Sequence, residues 1–174
     1  KLLREAGVYS LTVGIDSGSQ EVLKAMNRAT PLEMVEEKVR LIRELTDIRI
    51  TGNFIMGLPG EKEDDLKKTI DFARRLPMHR VNYHFFIPLP GSAVFDELKN
   101  SGRLDKLDYL KMIPERLSYI PDGLTKRTLI KAKITGIAGF YLRYGIFRDI
   151  FREIKGFSHF MFLAKKLFHQ ISGG

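Results

Sequence analysis

The stretch Ile48–Gly57, which reads IRITGNFIMG, decides the fold together with two similar runs, Val8–Asp16 and Arg80–Pro88. Each run is rich in β-forming residues, leads into a turn that contains glycine or proline, and is followed by the apolar spacing of an amphipathic helix. Strands that alternate with helices are typical of a parallel sheet with right-handed crossovers. The sequence therefore predicts an α/β fold with three βα units.

Helix-start signals separate these runs. The tetrapeptide Thr30–Glu33 predicts a helix that the Thr30 side chain caps, with proline at the first helical position. The acidic residues of Glu61–Asp65 are predicted to occupy the first turn of the next helix, where negative charge is favourable. Ser92 is expected to cap a third, shorter helix.

The two faces of the predicted strands differ, because side chains alternate across a strand. One face is apolar and suited to packing under helices. The other is enriched in small and polar groups, namely Thr12, Gly14, Asp16, Thr51, Asn53, Ile55, Gly57, Asn82, His84 and Phe86. A closed barrel without a guest is normally filled by bulky branched side chains. The polar face therefore indicates either a ligand or an edge that is open to water.

Three turns are expected to converge at the carboxyl ends of the strands, where ligands of parallel α/β folds bind. In Gly14–Ser19, Asp16 could accept hydrogen bonds from the vicinal hydroxyls of a ribose, or it could stabilise the following helix while Ser17 or Ser19 caps it. The glycines of Gly57–Glu61 allow a flat ligand to approach the backbone closely, or they form a plain βα turn. The prolines of Pro88–Ser92 could make an apolar rim for a base, or they could simply end the strand.

Composition excludes several classes of protein. The chain has 174 residues, 44% of them hydrophobic and 29% charged, which is ordinary for a globular protein. It has no cysteine, so it cannot by itself form a disulfide framework, a thiolate zinc site or a thiolate-bound iron–sulfur cluster. No uncharged apolar run approaches the roughly 20 residues that cross a bilayer. The chain opens on Lys1 without a signal-peptide pattern, which suggests a processed chain or an excised fragment.

Charge is distributed unevenly along the chain. Residues 1–110 carry 17 basic and 17 acidic side chains, whereas residues 111–174 carry 12 basic and 4 acidic ones. Two apolar stripes run through this basic segment, one with Phe140, Tyr144, Phe147, Phe151 and Ile154, the other with Phe160, Leu163, Leu167 and Ile171. The stripes could face the protein core or a partner chain, lie on an anionic membrane surface, or bind a nucleic-acid backbone with the flanking cations.

Four segments in this order resemble the second half of the radical S-adenosylmethionine (radical SAM) core. They are Gly14–Leu23, Met26–Arg28, Phe54–Glu61 and Pro88–Ser92. The resemblance is closest to the branch of methylthiotransferases and cobalamin-binding radical enzymes, and Phe140–Arg143 is similar to a C-terminal feature of the cobalamin-associated group. The resemblance implies that residues 1–105 contain strands four to six of a partial (β/α) barrel, which is half of a TIM-like barrel. It also implies that residues 106–174 form a basic, aromatic helical extension.

The resemblance also implies a cofactor site. A [4Fe–4S] cluster on three cysteines, which we expect upstream in a longer parent chain, would cleave S-adenosylmethionine reductively to a 5′-deoxyadenosyl radical. In this chain Asp16 matches the ribose-contacting residue, although glutamate is more usual there, and Ser17 matches its polar neighbour. Residues along the adenine correspond to Asn53, Ile55 and Gly57. Residues that close over the base correspond to Phe86, Ile87 and Pro88.

The expected function is therefore the adenosyl and ribose side of a radical SAM iron–sulfur enzyme of the oxidoreductase type. By itself this chain is expected to be inactive. Its expected partners are the cofactor, the missing N-terminal half of the barrel, a second copy of itself, and a membrane surface or RNA through the basic tail. Cobalamin, if bound, would require an upstream domain. The expected location is cytoplasmic or peripheral to a membrane. The alternative is a non-catalytic basic βα module that binds a membrane surface or a nucleic acid.

Overall fold

The computed structural model of the chain describes residues 2–28, 30–104, 113, 116–143, 158, 161 and 165. Both predicted stripes of the basic tail lie outside these residues, except for Phe140. The predicted domain boundary at residue 105 lies outside them as well, and it stays a prediction.

The described elements alternate between helix and strand. In chain order they are α1 (Leu2–Glu5), β1 (Ser10–Asp16), α2 (Gln20–Ala25), α3 (Leu32–Leu45), β2 (Arg49–Met56), α4 (Glu63–Arg75), β3 (Arg80–Phe85), α5 (Ala93–Asn100) and α6 (Lys126–Tyr141). The strands form a three-stranded sheet in the order β1-β2-β3, and both neighbouring pairs are parallel. Within the described residues the sheet is open, because β1 and β3 each have one unpaired edge. The α/β class and the partial (β/α) arrangement are thus confirmed.

The predicted difference between the two faces of the sheet is confirmed. Buried apolar side chains on one face are Ile50, Phe54, Met56, Val81, Tyr83 and Phe85. Helix α6 covers β3 on this side and contacts α4, which contacts β2. Leu129, Ile137 and Phe140 of α6 are completely buried. Phe140 is therefore core-facing, as one of the three interpretations of the basic tail expected. On the other face, Thr51, Asn53 and Ile55 are half-exposed.

Among the boundary predictions, those for the end of the third strand and for the start of α3 were wrong. The third strand ends at Phe85 rather than at Pro88, although the Phe86 N–H still donates to the Met56 carbonyl at 2.8 Å. Helix α3 begins at Leu32, and Pro31, in an extended conformation with ψ 141°, takes the N-cap position that was predicted for Thr30. The Leu32 N–H is instead satisfied by the Gln20 side chain of α2, whose Oε1 lies 3.0 Å away. The Ser92 cap is confirmed, because its hydroxyl accepts from the Phe95 N–H at 3.2 Å.

No helix within the described residues combines the length and the apolar character that crossing a bilayer requires.

Close packing of α6 on β3 depends on one of its two glycines. A Cβ atom on Gly136 would lie 2.8 Å from the Tyr83 ring, which itself packs on Phe54 with ring centroids 5.5 Å apart. A Cβ on Gly139 would meet only the flexible Arg74 side chain, at 3.4 Å. We therefore expect Gly136→Ala to lower the free energy of unfolding by about 1–3 kcal/mol through overpacking. Gly139→Ala, the matched control, should leave it unchanged or raise it by about 0.5–1 kcal/mol because alanine favours the helix. Urea unfolding of both variants measures this, and equal effects would contradict the packing of α6 on Tyr83.

Candidate functional site

The half-exposed face of the sheet carries a cross-strand set of polar groups near its carboxyl edge. Gly14, Asn53 and Asn82 are paired in register across the three strands, and the next pair towards the edge is Ile55 with His84. The Asn82 side-chain amide donates to Asn53 Oδ1 at 2.9 Å. Asn53 and Ile55, both predicted site residues, therefore lie on one face, one pleat apart.

Asp16 ends β1 in an unusual backbone conformation. The register shifts between Gly14 and Asp16, and the φ angle of Asp16 is 66°. Only 8% of the residue is exposed. Its Oδ1 would lie 3.6 Å from a Cβ on Gly14, so the carboxylate folds back over this glycine. Its Oδ2 lies 3.1 Å from Nη2 of the Arg28 guanidinium group. The bulge thus places an acceptor beside the row formed by Gly14 and Asn53.

Ser17 points into the protein rather than towards solvent. The residue is completely buried, and its hydroxyl oxygen lies 3.1 Å from Thr69 Oγ1 of α4. The same oxygen accepts from the Ser19 N–H at 3.1 Å. The predicted contact of Ser17 with a ribose stays a prediction, while the hydrogen bonds of its side chain go to the loop and to α4.

The turn after β2 contains a site residue that the sequence reasoning missed. Gly57 has a φ of +85°, which favours glycine, and its N–H donates to Glu61 Oε2 at 2.6 Å. The Leu58 N–H donates to the same oxygen at 3.2 Å. Glu61 was predicted in the first turn of α4, but it precedes that helix and is completely buried. The sequence signal for this role was the position of Glu61 four residues after a turn glycine. This spacing allows the carboxylate to accept hydrogen bonds from backbone N–H groups of its own turn.

Burial changes the acidity of Glu61. Desolvation raises its pKa to about 7, and repulsion from Asp65 adds to this, whereas the hydrogen bonds from Gly57 and Leu58 act in the opposite direction. Its second oxygen, Oε1, has no hydrogen-bond partner within the described residues. The side chain therefore closes the turn at a cost in solvation energy.

The segment after β3 extends the same face. Phe86 follows Asn82 and His84 in the alternation, and its half-buried ring contacts the edge of the Tyr119 ring at a centroid distance of 5.7 Å. Ile87 is half-buried and Pro88 is buried. The structure thus brings Asp16, Asn53 and Ile55 to the half-exposed face, and Phe86 continues that face beyond the end of β3.

This set of groups fits part of a nucleoside. Asp16 offers a hydrogen-bond acceptor for hydroxyls, Asn53 offers an amide, and Ile55 and Phe86 offer apolar surface for a ring. The space over Gly14 is one that a side chain would fill. The described residues do not fit a metal cluster, because no group of three potential metal ligands occurs among them and the whole chain lacks cysteine. Geometry and topology define a parallel βα protein whose candidate ligand site lies at the carboxyl edge of its sheet.

The chain is similar to several known proteins. Residues 1–73 match the Radical SAM superfamily. An anaerobic magnesium-protoporphyrin IX monomethyl ester cyclase of Cereibacter sphaeroides is 27% identical over 84% of this chain and 24% of its own length. A tRNA-2-methylthio-N(6)-dimethylallyladenosine synthase of Thermotoga petrophila is 29% identical over 85% of this chain and 34% of its own length. The chain therefore spans about a quarter to a third of the curated relatives that it matches.

A solved structure is also similar, the radical SAM enzyme coproporphyrinogen III oxidase of Escherichia coli, with a TM-score of 0.48, 24% identity and coverage of 51% of this chain and 20% of that one. The fold class rests on the parallel strands themselves rather than on this likeness. Residues 1–73 are thus similar to the radical SAM superfamily, and the two relatives named above are similar to most of this chain. Its curated relatives include a methylthio-group synthase, which agrees with the branch that the four sequence segments indicated.

The buried carboxylate of Glu61 predicts a dependence of stability on pH. The unfolded chain loses this proton near the ordinary pKa of 4.5, but the folded chain holds it until about pH 7. The folded state therefore loses stability as pH rises through that window, by on the order of 3 kcal/mol if Glu61 acts alone. Glu61→Gln removes the titration and keeps an acceptor for the Gly57 N–H.

Urea unfolding at several pH values measures this effect. The difference in unfolding free energy between Glu61→Gln and the unmodified chain should move in favour of the variant between about pH 4.5 and 7. Glu63→Gln, on the exposed first turn of α4, is the control. A pH-independent difference for Glu61→Gln would contradict the assignment.

Proposed function

We propose that this chain supplies the adenosyl-binding side of the cofactor site of a radical SAM enzyme. The observation that carries the proposal is the Asp16 carboxylate, which is held over Gly14 at the carboxyl end of β1 with its Oδ1 on the half-exposed face. An acidic residue at a strand end is a recurrent partner of ribose hydroxyls in nucleotide sites of α/β proteins. The similarity to the radical SAM superfamily makes S-adenosylmethionine the expected nucleoside.

The residues have separate tasks in this proposal. Asp16 accepts hydrogen bonds from the ribose, and Asn53 and Ile55 lie along the adenine together with the Gly57 turn. Phe86, with Ile87 and Pro88, borders the base on the side of β3. Arg28 is largely exposed, so its ion pair with Asp16 stabilises the carboxylate only weakly and a ligand can compete for it.

The chemistry of the family is supplied by the bound cofactors: one electron from a reduced [4Fe–4S] cluster cleaves S-adenosylmethionine. The cluster requires thiolates that this chain does not contain, so we assign no part of that step to its residues. This chain's own residues bind the nucleoside, orient it and shield it on one side. Cobalamin stays an expectation that rests on the resemblance to cobalamin-binding enzymes, because no described residue gives further support for its binding. The similarity to radical SAM enzymes does not support the alternative of a non-catalytic basic module.

The unpaired edge of β1 fits a further part of the proposal, the attachment of additional βα units. Leu2 of α1 and Tyr9, which both precede β1 in the chain, are 81% and 75% exposed. An open strand edge offers unpaired backbone groups to another strand. We propose that the missing half of the barrel pairs there, and that in its absence a second copy of the chain does so.

The test uses the full-length protein that carries this chain, reconstituted without oxygen from iron and sulfide. We expect it to bind S-adenosylmethionine and, with a reductant, to release 5′-deoxyadenosine. Asp16→Ala should weaken the binding of S-adenosylmethionine about 10- to 100-fold, because hydrogen bonds to a charged acceptor contribute about 1.5–3 kcal/mol. Equilibrium dialysis and quantification of 5′-deoxyadenosine measure the two effects.

Asp47→Ala is the matched control, because it also removes an aspartate that pairs with an arginine, Arg4, at 2.5 Å, but at an exposed position away from the carboxyl edge. Its affinity should equal that of the unmodified protein. A folded, cluster-containing protein that releases no 5′-deoxyadenosine would refute the proposed class of activity. Unchanged affinity in Asp16→Ala would refute the proposed site.

A further inference from the structure

Helix α4 holds the loop that follows Asp16 through three consecutive residues. The Gly18 N–H donates to Thr69 Oγ1 at 3.0 Å, and the Ser17 hydroxyl lies 3.1 Å from the same atom. One helical turn earlier, Asp65 Oδ1 accepts from the Ser19 hydroxyl at 2.7 Å. Asp65 and Thr69 lie on one face of the helix, since they are four residues apart. The loop thus has its polar groups satisfied by the side chains of one helix face.

The contact between the loop and α4 is also sterically tight. A Cβ on Gly18 would lie 2.6 Å from the Thr69 Cα and 2.7 Å from the Lys68 carbonyl oxygen. Only glycine lets the loop backbone approach the helix at this distance. Thr69 is completely buried, so water cannot replace its hydroxyl as the partner of the Gly18 N–H.

This contact begins one residue after a strained position. Asp16 has a φ of 66°, and the Ser17 N–H donates to the Ile15 carbonyl at 2.9 Å, so the chain turns sharply around Asp16. Residues other than glycine seldom adopt a positive φ, and they keep it only where the surroundings enforce it. Such strain is concentrated at functional sites, and here it coincides with the carboxylate that folds back over Gly14.

We propose that Thr69 is a positioning residue that, through Ser17 and Gly18, holds the Asp16 carboxylate where it recognises the 2′-hydroxyl of a ribose. The inference rests on the proposed function and adds a determinant of specificity to it. Without the Thr69 hydroxyl, the Gly18 N–H is buried without an acceptor, and the loop is displaced to reach another one. Asp16 then relaxes towards an extended backbone, and its carboxylate moves away from Gly14.

The test compares two ligands, S-adenosylmethionine and its 2′-deoxyribose analogue, by equilibrium dialysis against the full-length protein under anaerobic conditions. The unmodified protein should prefer S-adenosylmethionine. Thr69→Val keeps the shape of the side chain but removes the hydroxyl. We expect about tenfold weaker binding of S-adenosylmethionine, little change for the analogue, and hence a loss of the preference. Thr69→Ser, which keeps the hydroxyl, should restore both affinity and preference.

Thr46→Val is the matched control for stability. Thr46 also bridges backbone groups, because its hydroxyl donates to the Ile42 carbonyl at 2.7 Å and accepts from the Ile48 N–H at 3.2 Å, but it lies at the amino end of β2. This variant should lose stability in urea without any change in ligand preference. If Thr69→Val does not fold, Ser17→Ala removes the adjoining hydroxyl, and its preference for the 2′-hydroxyl is measured instead.

The outcomes separate the two proposals. If Asp16→Ala abolishes the preference for the 2′-hydroxyl but folded Thr69→Val (or Ser17→Ala in its place) retains it, the positioning role of Thr69 is wrong and the site stands. If neither ligand binds the unmodified protein, or Asp16→Ala binds both as tightly as before, the proposed function itself fails.

Discussion

The backbone N–H groups of two successive βα loops have to be satisfied without water, and the rest of the carboxyl edge depends on this constraint. Neither loop can do so through its backbone alone, because both leave the sheet at sharp turns with a positive φ, at Asp16 and at Gly57. One loop uses Thr69 of α4, and the other uses Glu61 just before the same helix. Because buried polar groups are costly when unpaired, the position of α4 fixes the conformations of both loops together.

Helix α4 can serve both loops because β2 is the central strand. Helix α4 connects β2 to β3 and passes next to the loop that follows β1. The first residues of α4 follow the turn after β2. The apolar side of α4 is anchored in the core by Leu66, Phe72 and Ala73, all of them buried. Hydrophobic packing therefore holds α4 in the position from which its polar side chains contact the loop after β1. Helix α6 packs against α4 from the side of β3.

Local patterns carried most of the fold prediction, whereas the roles of Glu61 and Thr69 at the carboxyl edge were missed for one shared reason. Alternation along β2 and β3 predicted which face is buried, because burial of a pleated strand follows a period of two residues. Glu61 was assigned to a helix because acidic residues crowd that stretch, and its burial arises only when the turn closes around its carboxylate. Thr69 offered no signal at all, since its partners at Ser17 and Gly18 are about fifty residues away in the chain. Contacts of this kind are decided by tertiary packing, which a single sequence does not encode in its local pattern.

The aspartate at position 16 links the departure from the family pattern to the backbone strain. Glutamate is more usual at this position in the resembling branch, and aspartate is one methylene shorter. Among residues with a side chain, however, aspartate and asparagine enter the left-handed region most readily. A bulge with a φ of 66° turns the backbone so that the short side chain folds back over Gly14 rather than extending beyond the strand. The short carboxylate and the strained turn are therefore two parts of one arrangement, which places Asp16 Oδ1 next to Gly14, the position on which the proposed ribose contact depends.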